Sequence, residues 1–434
     1  MRPKMTLAAL ATAAVAAALL NPISAAASAA STSSVSIGVP PGAAQRVESV
    51  RYNLGDQAFK PPAEIGYVGD NELNGVVYYP KDLGRGTHPL IMIEHGYWGT
   101  CADRDAERRQ NAAIRARDAA TAAGNTAEVE RQEKIINEMA ARLWGWPCRS
   151  GVPQLPSLVG YEYLGRQLAA AGFVVVSIGT NGINANDPGQ ADTTFYNRAA
   201  LINKQLEMWQ QLSTTGRGPL RGSFVDPQSG RHRDVDFRGH VDLTRVGTIG
   251  HSRGGGGVMQ QAADVRRDQW PAGVQVKAVF GLAPVFNWNG EAVTRTPFAV
   301  MWGTCDSDNS GSYFEDNVGA NRVPIYKYTL TGGNHDSFNT QWSPSSGQVG
   351  SRDDAEPGSR PGYCRSQFPG DDSHRDQKAL TEEQQRRIAT AYASAFFLRH
   401  LQGQRQYDPV LNGVRRLPNL PDAVQVKFAP PVAR

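Results

Sequence analysis

Short apolar runs recur along this chain of 434 residues, and segments of helix length separate most of them. The runs that read as strands are residues 47–52, 74–79, 88–94, 173–177, 246–249, 276–282, 298–302 and 325–331. Helical spacing of apolar residues marks the segments 161–171, 195–212 and 382–401. Parallel strands need a long crossover between them, and this crossover is usually a helix. The alternation therefore predicts an α/β fold with a mostly parallel central sheet covered by helices on both faces.

One segment interrupts this alternation. Residues 102–147 are rich in Ala, Arg, Glu and Gln, and the apolar residues near the end of the segment fall at helical spacing. Gly124 and Asn125 are suited to end one helix and begin the next. We expect an inserted helical hairpin here, either as a lid or substrate-selecting wall or as a passive surface insertion.

Four cysteines occur in the chain. An even number in an exported protein indicates disulfides. Their order along the chain favours the pairs Cys101–Cys148 and Cys305–Cys364, although four cysteines permit three connectivities. The first pair would join the two ends of the expected hairpin.

The N-terminus has the features of a secretory signal peptide. Arg2 and Lys4 precede an Ala-rich apolar run that ends near Leu20, and small residues follow around residues 24–29. We therefore expect cleavage near residue 29 and a secreted protein. A retained membrane anchor is the alternative, but the run is short for one.

The charge balance argues against nucleic acid as a partner. Forty-five basic residues face 41 acidic ones, for a formal charge of +4, and no basic block is present. No stretch after the N-terminal run could span a bilayer, so stable membrane insertion is not expected. The sequence leaves the oligomeric state open.

Ser252 is the strongest candidate for a reactive group. It lies in Gly250-His251-Ser252-Arg253-Gly254, after an apolar run typical of a strand and before a glycine run that leads into a helix. A serine in such a strand–turn–helix context projects its hydroxyl from the edge of the sheet. A chance G-x-S-x-G in a glycine-rich chain is the simpler alternative.

A serine hydroxyl needs a base to take its proton, and the base needs an acid to orient it. His335 follows a predicted strand on a glycine-flanked loop, whereas His374 lies in a hydrophilic run. Asp306 follows the strand at 298–302, and Asp308 is the second candidate for the acid. We predict His335 and Asp306. A calcium loop beginning at Asp306 is an alternative, but Asn317 stands where such a loop requires Glu.

The reaction would also need two backbone donors for a developing oxyanion. The loop after the third strand reads His95-Gly96-Tyr97-Trp98-Gly99, so the expected donors are the amides of Tyr97 and Arg253. Trp98 could contact substrate or pack in the core. Trp144 and Trp146 are expected to pack beneath the hairpin.

The ordered motifs HG, GHSRGG, GxxD and NH resemble those of the α/β-hydrolase superfamily over residues 47 to about 402. Gly96-Tyr97 and the Ser252 motif are similar to those of secreted bacterial lipases, cutinases and polyester hydrolases. The resemblance implies a catalytic domain at residues 47–407. The composition predicts a flexible segment at 30–46 before this domain and a Pro-rich tail at 408–434, which is expected to lie along the surface.

From these residues we expect a secreted serine hydrolase that cleaves carboxylic esters through an acyl-enzyme, without a metal or organic cofactor. Its substrate would be a small-molecule, lipid or polymer ester. A serine peptidase or amidase with the same three residues is one alternative. A catalytically inactive binding protein on a hydrolase scaffold is another.

Overall fold

The computed structural model describes residues 46–84, 86–187, 191–307, 311–353, 360–365 and 376–432. The expected signal peptide at 1–29 lies outside these ranges, as does the segment 30–46 except for Arg46. Asp308 and His374 also lie outside them.

A large, mostly parallel sheet occupies the centre of the fold. The strands in chain order are β1 (Val47–Asn53), β2 (Asn74–Pro80), β3 (His88–Glu94), β4 (Val174–Ile178), β5 (Val241–His251), β6 (Val276–Leu282), β7 (Phe298–Gly303), β8 (Ile325–Leu330), β9 (Tyr363–Arg365), β10 (Asp376–Lys378) and β11 (Val424–Ala429). In the described ranges the sheet order is β1-β2-β4-β3-β5-β6-β7-β8-β11, and β9 pairs separately with β10. Every pairing from β4 to β8 is parallel, whereas β1, β2 and β11 are attached in antiparallel fashion.

The helices within the described ranges include those that cover both faces of this sheet. They are α1 (Arg104–Ala122), α2 (Thr126–Leu143), α3 (Glu162–Ala170), α4 (Asn181–Ala185), α5 (Ala191–Thr215), α6 (Arg253–Ala262), α7 (Tyr313–Asn317), α8 (Glu382–Gln402) and α9 (Asp408–Leu411). None of the helices in the described ranges is long and apolar enough to cross a membrane. The predicted α/β class is confirmed, and the architecture is compatible with the α/β-hydrolase fold.

Two hydrophobic cores lie on opposite faces of the sheet. Leu90 and Met92 of β3 join the core beneath α5 and α6, whereas Ile91 and Ile93 join the core beneath α3 and α8. Successive side chains of a strand point to opposite faces, so a strand covered on both sides needs a continuous apolar run. This requirement explains the run that marks β3 in the sequence.

The C-terminal segment differs from the expected surface tail. Residues 424–429 form β11, which pairs with β8 at the edge of the sheet, with Val426 opposite Tyr328. Val424, Val426 and Phe428 alternate with polar residues, which is the period of a strand. The prolines around this short segment obscure that period in the sequence.

Helices α1 and α2 form an antiparallel pair with a turn at residues 123–125, where the sequence predicts it. A disulfide joins Cys101 to Cys148 with a Cα–Cα distance of 5.6 Å. A second disulfide joins Cys305 to Cys364 at 5.8 Å. Both predicted pairings are confirmed. The first one holds the two ends of the helical pair together beside the loop that follows β3.

Asp103 connects both ends of the pair. Its carboxylate caps α1 by accepting the Ala106 amide at 3.0 Å. It also forms ion pairs with Arg142 at the end of α2, at 2.9 Å, and with Arg149, at 3.0 Å. The Asp103 side chain is only 3% exposed, so these partners replace water around its charge.

We predict that Asp103→Ala lowers the free energy of unfolding by about 1–2 kcal/mol, because a helix cap and a shielded ion pair are both lost. Urea unfolding measures this change, and trypsin should cut the arginine-rich segment 104–143 faster in the variant. Asp118→Ala is the control, since Asp118 is 62% exposed on the same helix. Equal stability of the two variants would contradict the role of Asp103.

Candidate active site

Ser252 occupies the turn between β5 and α6 in an uncommon backbone conformation. Its φ is 57° and its ψ is −123°, values that cost free energy for a residue with a side chain. Main-chain bonds hold the turn, because the Ser252 amide donates to the Leu282 carbonyl at 3.0 Å and its carbonyl accepts from Val285 at 3.2 Å. The strand–turn–helix context predicted from the sequence is therefore present.

Glycines allow this turn to lie against its neighbours. A Cβ atom at Gly250 would lie 2.1 Å from the Gly254 carbonyl oxygen. A Cβ atom at Gly254 would lie 2.6 Å from the carbonyl oxygen of Glu94, at the end of β3. Neither distance is possible between real atoms, so any larger residue would move the turn away from β3.

The loop after β3 passes directly beside Ser252. A Cβ atom at Gly96 would lie 2.5 Å from the Ser252 Cβ and 3.2 Å from its Oγ. The next residue is Tyr97, whose ring lies 4.1 Å beneath the Arg253 guanidinium. Arg253 begins α6, where backbone amides have no acceptor within the helix. The two loops predicted to supply backbone donors are thus adjacent to Ser252.

The structure brings His335 and Asp306 together, as their positions after two successive strands predict. The Nδ1 atom of His335 lies 2.9 Å from Oδ2 of Asp306, and both side chains are buried. Asp306 follows β7 and His335 follows β8, so adjacent parallel strands deliver both residues to the same edge of the sheet. A carboxylate at Nδ1 favours the tautomer with its proton there and leaves Nε2 to accept a proton.

His251 and Gln385, which no sequence pattern pointed to, hold the His335 loop. The Nε2 atom of His251 lies 3.1 Å from the His335 carbonyl oxygen, and its Nδ1 lies 2.9 Å from the Tyr161 hydroxyl. Burial lowers the pKa of His251 well below its usual value, and electrostatic repulsion from the neighbouring His335 lowers it further. The His251 ring is therefore neutral. Gln385 exchanges two hydrogen bonds with the Asn334 main chain, at 2.9 and 2.7 Å.

Ser252 and His335 open into a cavity of about 630 Å³. Its apolar and aromatic wall is formed by Tyr97, Trp98, Leu143, Trp144, Val285, Trp288 and Val349. Trp98 both lines the cavity and stacks on buried Trp342 at 5.2 Å, so the two alternatives considered for it are not exclusive. Trp144 also lines the cavity and stacks on Tyr97 at 4.8 Å, contrary to the expectation of packing alone.

The sequence also offered Asp308 as the acid, His374 as the base, and a calcium loop that begins at Asp306. Asp308 and His374 lie outside the described residues. The side chain of Asn317, the last position of the possible calcium loop, instead accepts from the Val293 amide at 2.8 Å and donates to the Tyr313 carbonyl at 2.9 Å. No cluster of metal-ligating side chains occurs within the described ranges.

Glu94 is a buried carboxyl group directly behind the Gly96 loop. Neither of its oxygens has a hydrogen-bond partner among the described residues. Burial raises the pKa of Glu94 to about 8, and the nearby Arg198 charge only partly opposes this effect. Glu94 therefore holds its proton in the folded protein at neutral pH.

A carboxyl group with a raised pKa takes up a proton on folding, so stability is lost as the pH rises from about 4.5 toward about 8. We predict that Glu94→Gln reduces this loss, because an amide cannot ionise. Thermal unfolding midpoints from pH 4.5 to 9 measure it, with the exposed Glu64→Gln as control. A wild-type pH dependence in Glu94→Gln would contradict the prediction.

Comparison with curated proteins gives a distant match. The chain is 27% identical over 192 residues to Lipase 1 of Moraxella sp. (strain TA144). The match covers 42% of the chain and 46% of the lipase, so the chain spans about half the length of this curated relative. No protein-family model matches the chain.

Proposed function

We propose that this protein is a serine hydrolase of the α/β-hydrolase fold that cleaves carboxylic esters. The observation that carries the proposal is the strained turn at Ser252. Ser252 lines the same cavity as His335, and His335 is hydrogen-bonded to the buried Asp306. Strain of this kind persists only where the surrounding structure imposes it, and it concentrates at functional sites. The distant lipase relative supports the same chemistry.

In the proposed mechanism, Ser252 Oγ attacks the acyl carbon while His335 Nε2 accepts the hydroxyl proton. Asp306 holds the imidazole and stabilises its charged form. His335 then gives the proton to the leaving alcohol, and an acyl group remains bonded to Ser252. Water, deprotonated by His335, releases the acid and restores the serine. The amides of Tyr97 and Arg253 would stabilise the oxyanion in both steps.

We predict that Ser252→Ala lowers kcat for p-nitrophenyl butyrate by about 10⁴-fold or more, because the nucleophile is lost. Asp306→Asn should lower kcat by about 10³–10⁴-fold, since the histidine loses its orienting charge. Ser394→Ala, which removes a buried hydroxyl in α8, is the control.

Wild-type turnover by Ser252→Ala would reject the proposal. Failure of the folded wild-type protein to react with a fluorophosphonate probe would favour a binding protein instead. A matched ester and amide pair then separates an esterase from an amidase.

Helices α1 and α2 are proposed to form an inserted wall that selects substrates. Glu107, Gln110 and Asn111 of α1 line the cavity. Glu107 accepts the Gly350 amide at 2.7 Å, and Arg104 bonds to the Gly347 carbonyl. These bonds join the helical pair to a loop that also lines the cavity, at Val349 and Gly350. The pair is therefore fixed at both its base and its flank.

We predict that Asn111→Trp lowers kcat/KM at least tenfold for a long-chain ester while changing p-nitrophenyl acetate turnover less than threefold. The indole would occupy cavity space that only the longer substrate needs. Arg108→Trp is the control, because Arg108 is exposed on the same helix and is not part of the cavity lining. Equal losses for both esters would contradict the role of the wall.

Export of the protein is also proposed. The N-terminal pattern of Arg2, Lys4 and the following Ala-rich run supports it, and so do the two disulfides, which persist mainly in oxidising compartments. Within this proposal the hydrolase would act on esters outside the cell.

A further inference from the structure

A chain of buried polar groups lies behind the loop that contains Gly96 and Tyr97. Asn184, in the short helix α4, donates from its Nδ2 to the Gly96 carbonyl at 3.0 Å and to the Trp98 carbonyl at 3.3 Å. Its Oδ1 accepts from Arg198 Nη2 at 2.6 Å. Asn184 is 2% exposed and Arg198 is fully buried. These bonds are therefore shielded from competition with water.

Arg198 extends the same network along the loop. Its Nη1 donates to the His95 carbonyl at 3.0 Å and to the Thr180 hydroxyl at 3.1 Å. Because its planar guanidinium presents several donors in fixed directions, Arg198 sets the orientation of the Asn184 amide as well as that of the loop. Three carbonyls of the loop, those of His95, Gly96 and Trp98, thus point toward this network.

The orientation of the Gly96 carbonyl determines that of the Tyr97 amide. Both belong to one planar peptide unit, and the cis peptide bond of the described chain lies elsewhere, at Trp146–Pro147. In a trans unit the carbonyl oxygen and the amide hydrogen point in opposite directions. A carbonyl held by Asn184 therefore directs the Tyr97 N–H away from the buried network. The neighbouring Gly96 Cα lies against Ser252, on the cavity side.

We propose that Asn184 and Arg198 are positioning residues of the oxyanion hole, which hold the Tyr97 amide toward the oxygen of the reacting ester. This inference rests on the proposed function of Ser252. Backbone donors stabilise a transition state only when they are already aimed at the position that the oxyanion will occupy. Within the loop, the Nδ1 atom of His95 lies 3.0 Å from the Gly96 carbonyl oxygen. The Asn184–Arg198 pair holds the same carbonyl from outside the loop, together with those of His95 and Trp98.

The test compares Asn184→Ala and Asn184→Asp with wild type. The alanine variant removes both donated bonds, and the aspartate variant keeps an acceptor for Arg198 but cannot donate to Gly96. Asn321→Ala is the matched control, because Asn321 is also buried and donates to the carbonyls of Val323 and Pro430, at 2.9 and 2.8 Å, in another region of the fold.

We expect both Asn184 variants to lower kcat for p-nitrophenyl butyrate by about 10–100-fold and to change KM less than threefold. This fall in kcat approaches the one caused by removing an oxyanion donor. Asn321→Ala should keep kcat near wild type even if its unfolding midpoint falls equally. A second measurement compares the ester with its thiono analogue, whose sulfur is a weaker acceptor. The oxygen preference, which is the ratio of ester turnover to thionoester turnover, should fall at least fivefold in the two Asn184 variants and should not fall in Asn321→Ala.

The outcomes separate the two proposals. Loss of activity in Ser252→Ala together with wild-type kcat and wild-type oxygen preference in folded Asn184→Ala would overturn the positioning role and leave the esterase intact. A fall in kcat without a change in oxygen preference would also overturn it, because general structural damage predicts that result. Activity that survives Ser252→Ala would reject Ser252 as the nucleophile, and with it the proposed function on which the positioning role rests.

Discussion

The arrangement of the candidate site depends on the close approach of two backbone segments, the turn at Ser252 and the end of β3. Gly254 lies against the carbonyls of Glu94 and His95, and Gly96 lies against Ser252 itself. A single methyl group at either glycine would separate the two segments. The serine and the loop that flanks it are therefore neighbours because side chains are absent between them, and the strained φ of Ser252 is maintained by the same contacts.

Polar groups buried behind this contact make the arrangement rigid, although burial imposes a cost on each of them. His95 is neutral because burial lowers its pKa to about 3, and its Nε2 accepts the Thr180 amide at 2.9 Å. Glu94 keeps its proton, and the Arg198 guanidinium donates to three oxygens, those of the His95 carbonyl, the Thr180 hydroxyl and the Asn184 side chain. A loop conformation that broke the bonds of His95 or Arg198 would leave a buried polar group unpaired, at a cost of about 1–3 kcal/mol, so few alternatives can compete.

Much of this site could be predicted from the sequence because local patterns encode it. The strand before Ser252 and the glycines after it specify a strand–turn–helix unit, and the strands before Asp306 and His335 specify where their loops emerge. The residues that hold those loops could not be predicted. His251, Gln385, Asn184 and Arg198 act through contacts with segments up to 103 positions away, as between Arg198 and the His95 carbonyl. Nothing in their local sequence distinguishes them from ordinary polar residues of strands and helices.

The sequence by itself determined the α/β class, the two helices between Cys101 and Cys148 and the candidate residues Ser252, Asp306 and His335, and its cysteine order favoured the two disulfide pairings that the structure contains. It could do so because strand and helix periodicity, glycine runs and cysteine order are properties of short segments. The tertiary structure decided the edge position of β11, the place of Trp144 in the cavity wall and the clamp on the Gly96 carbonyl. Each of these depends on which distant surfaces meet when the sheet closes its two cores, and that information is distributed over the whole chain.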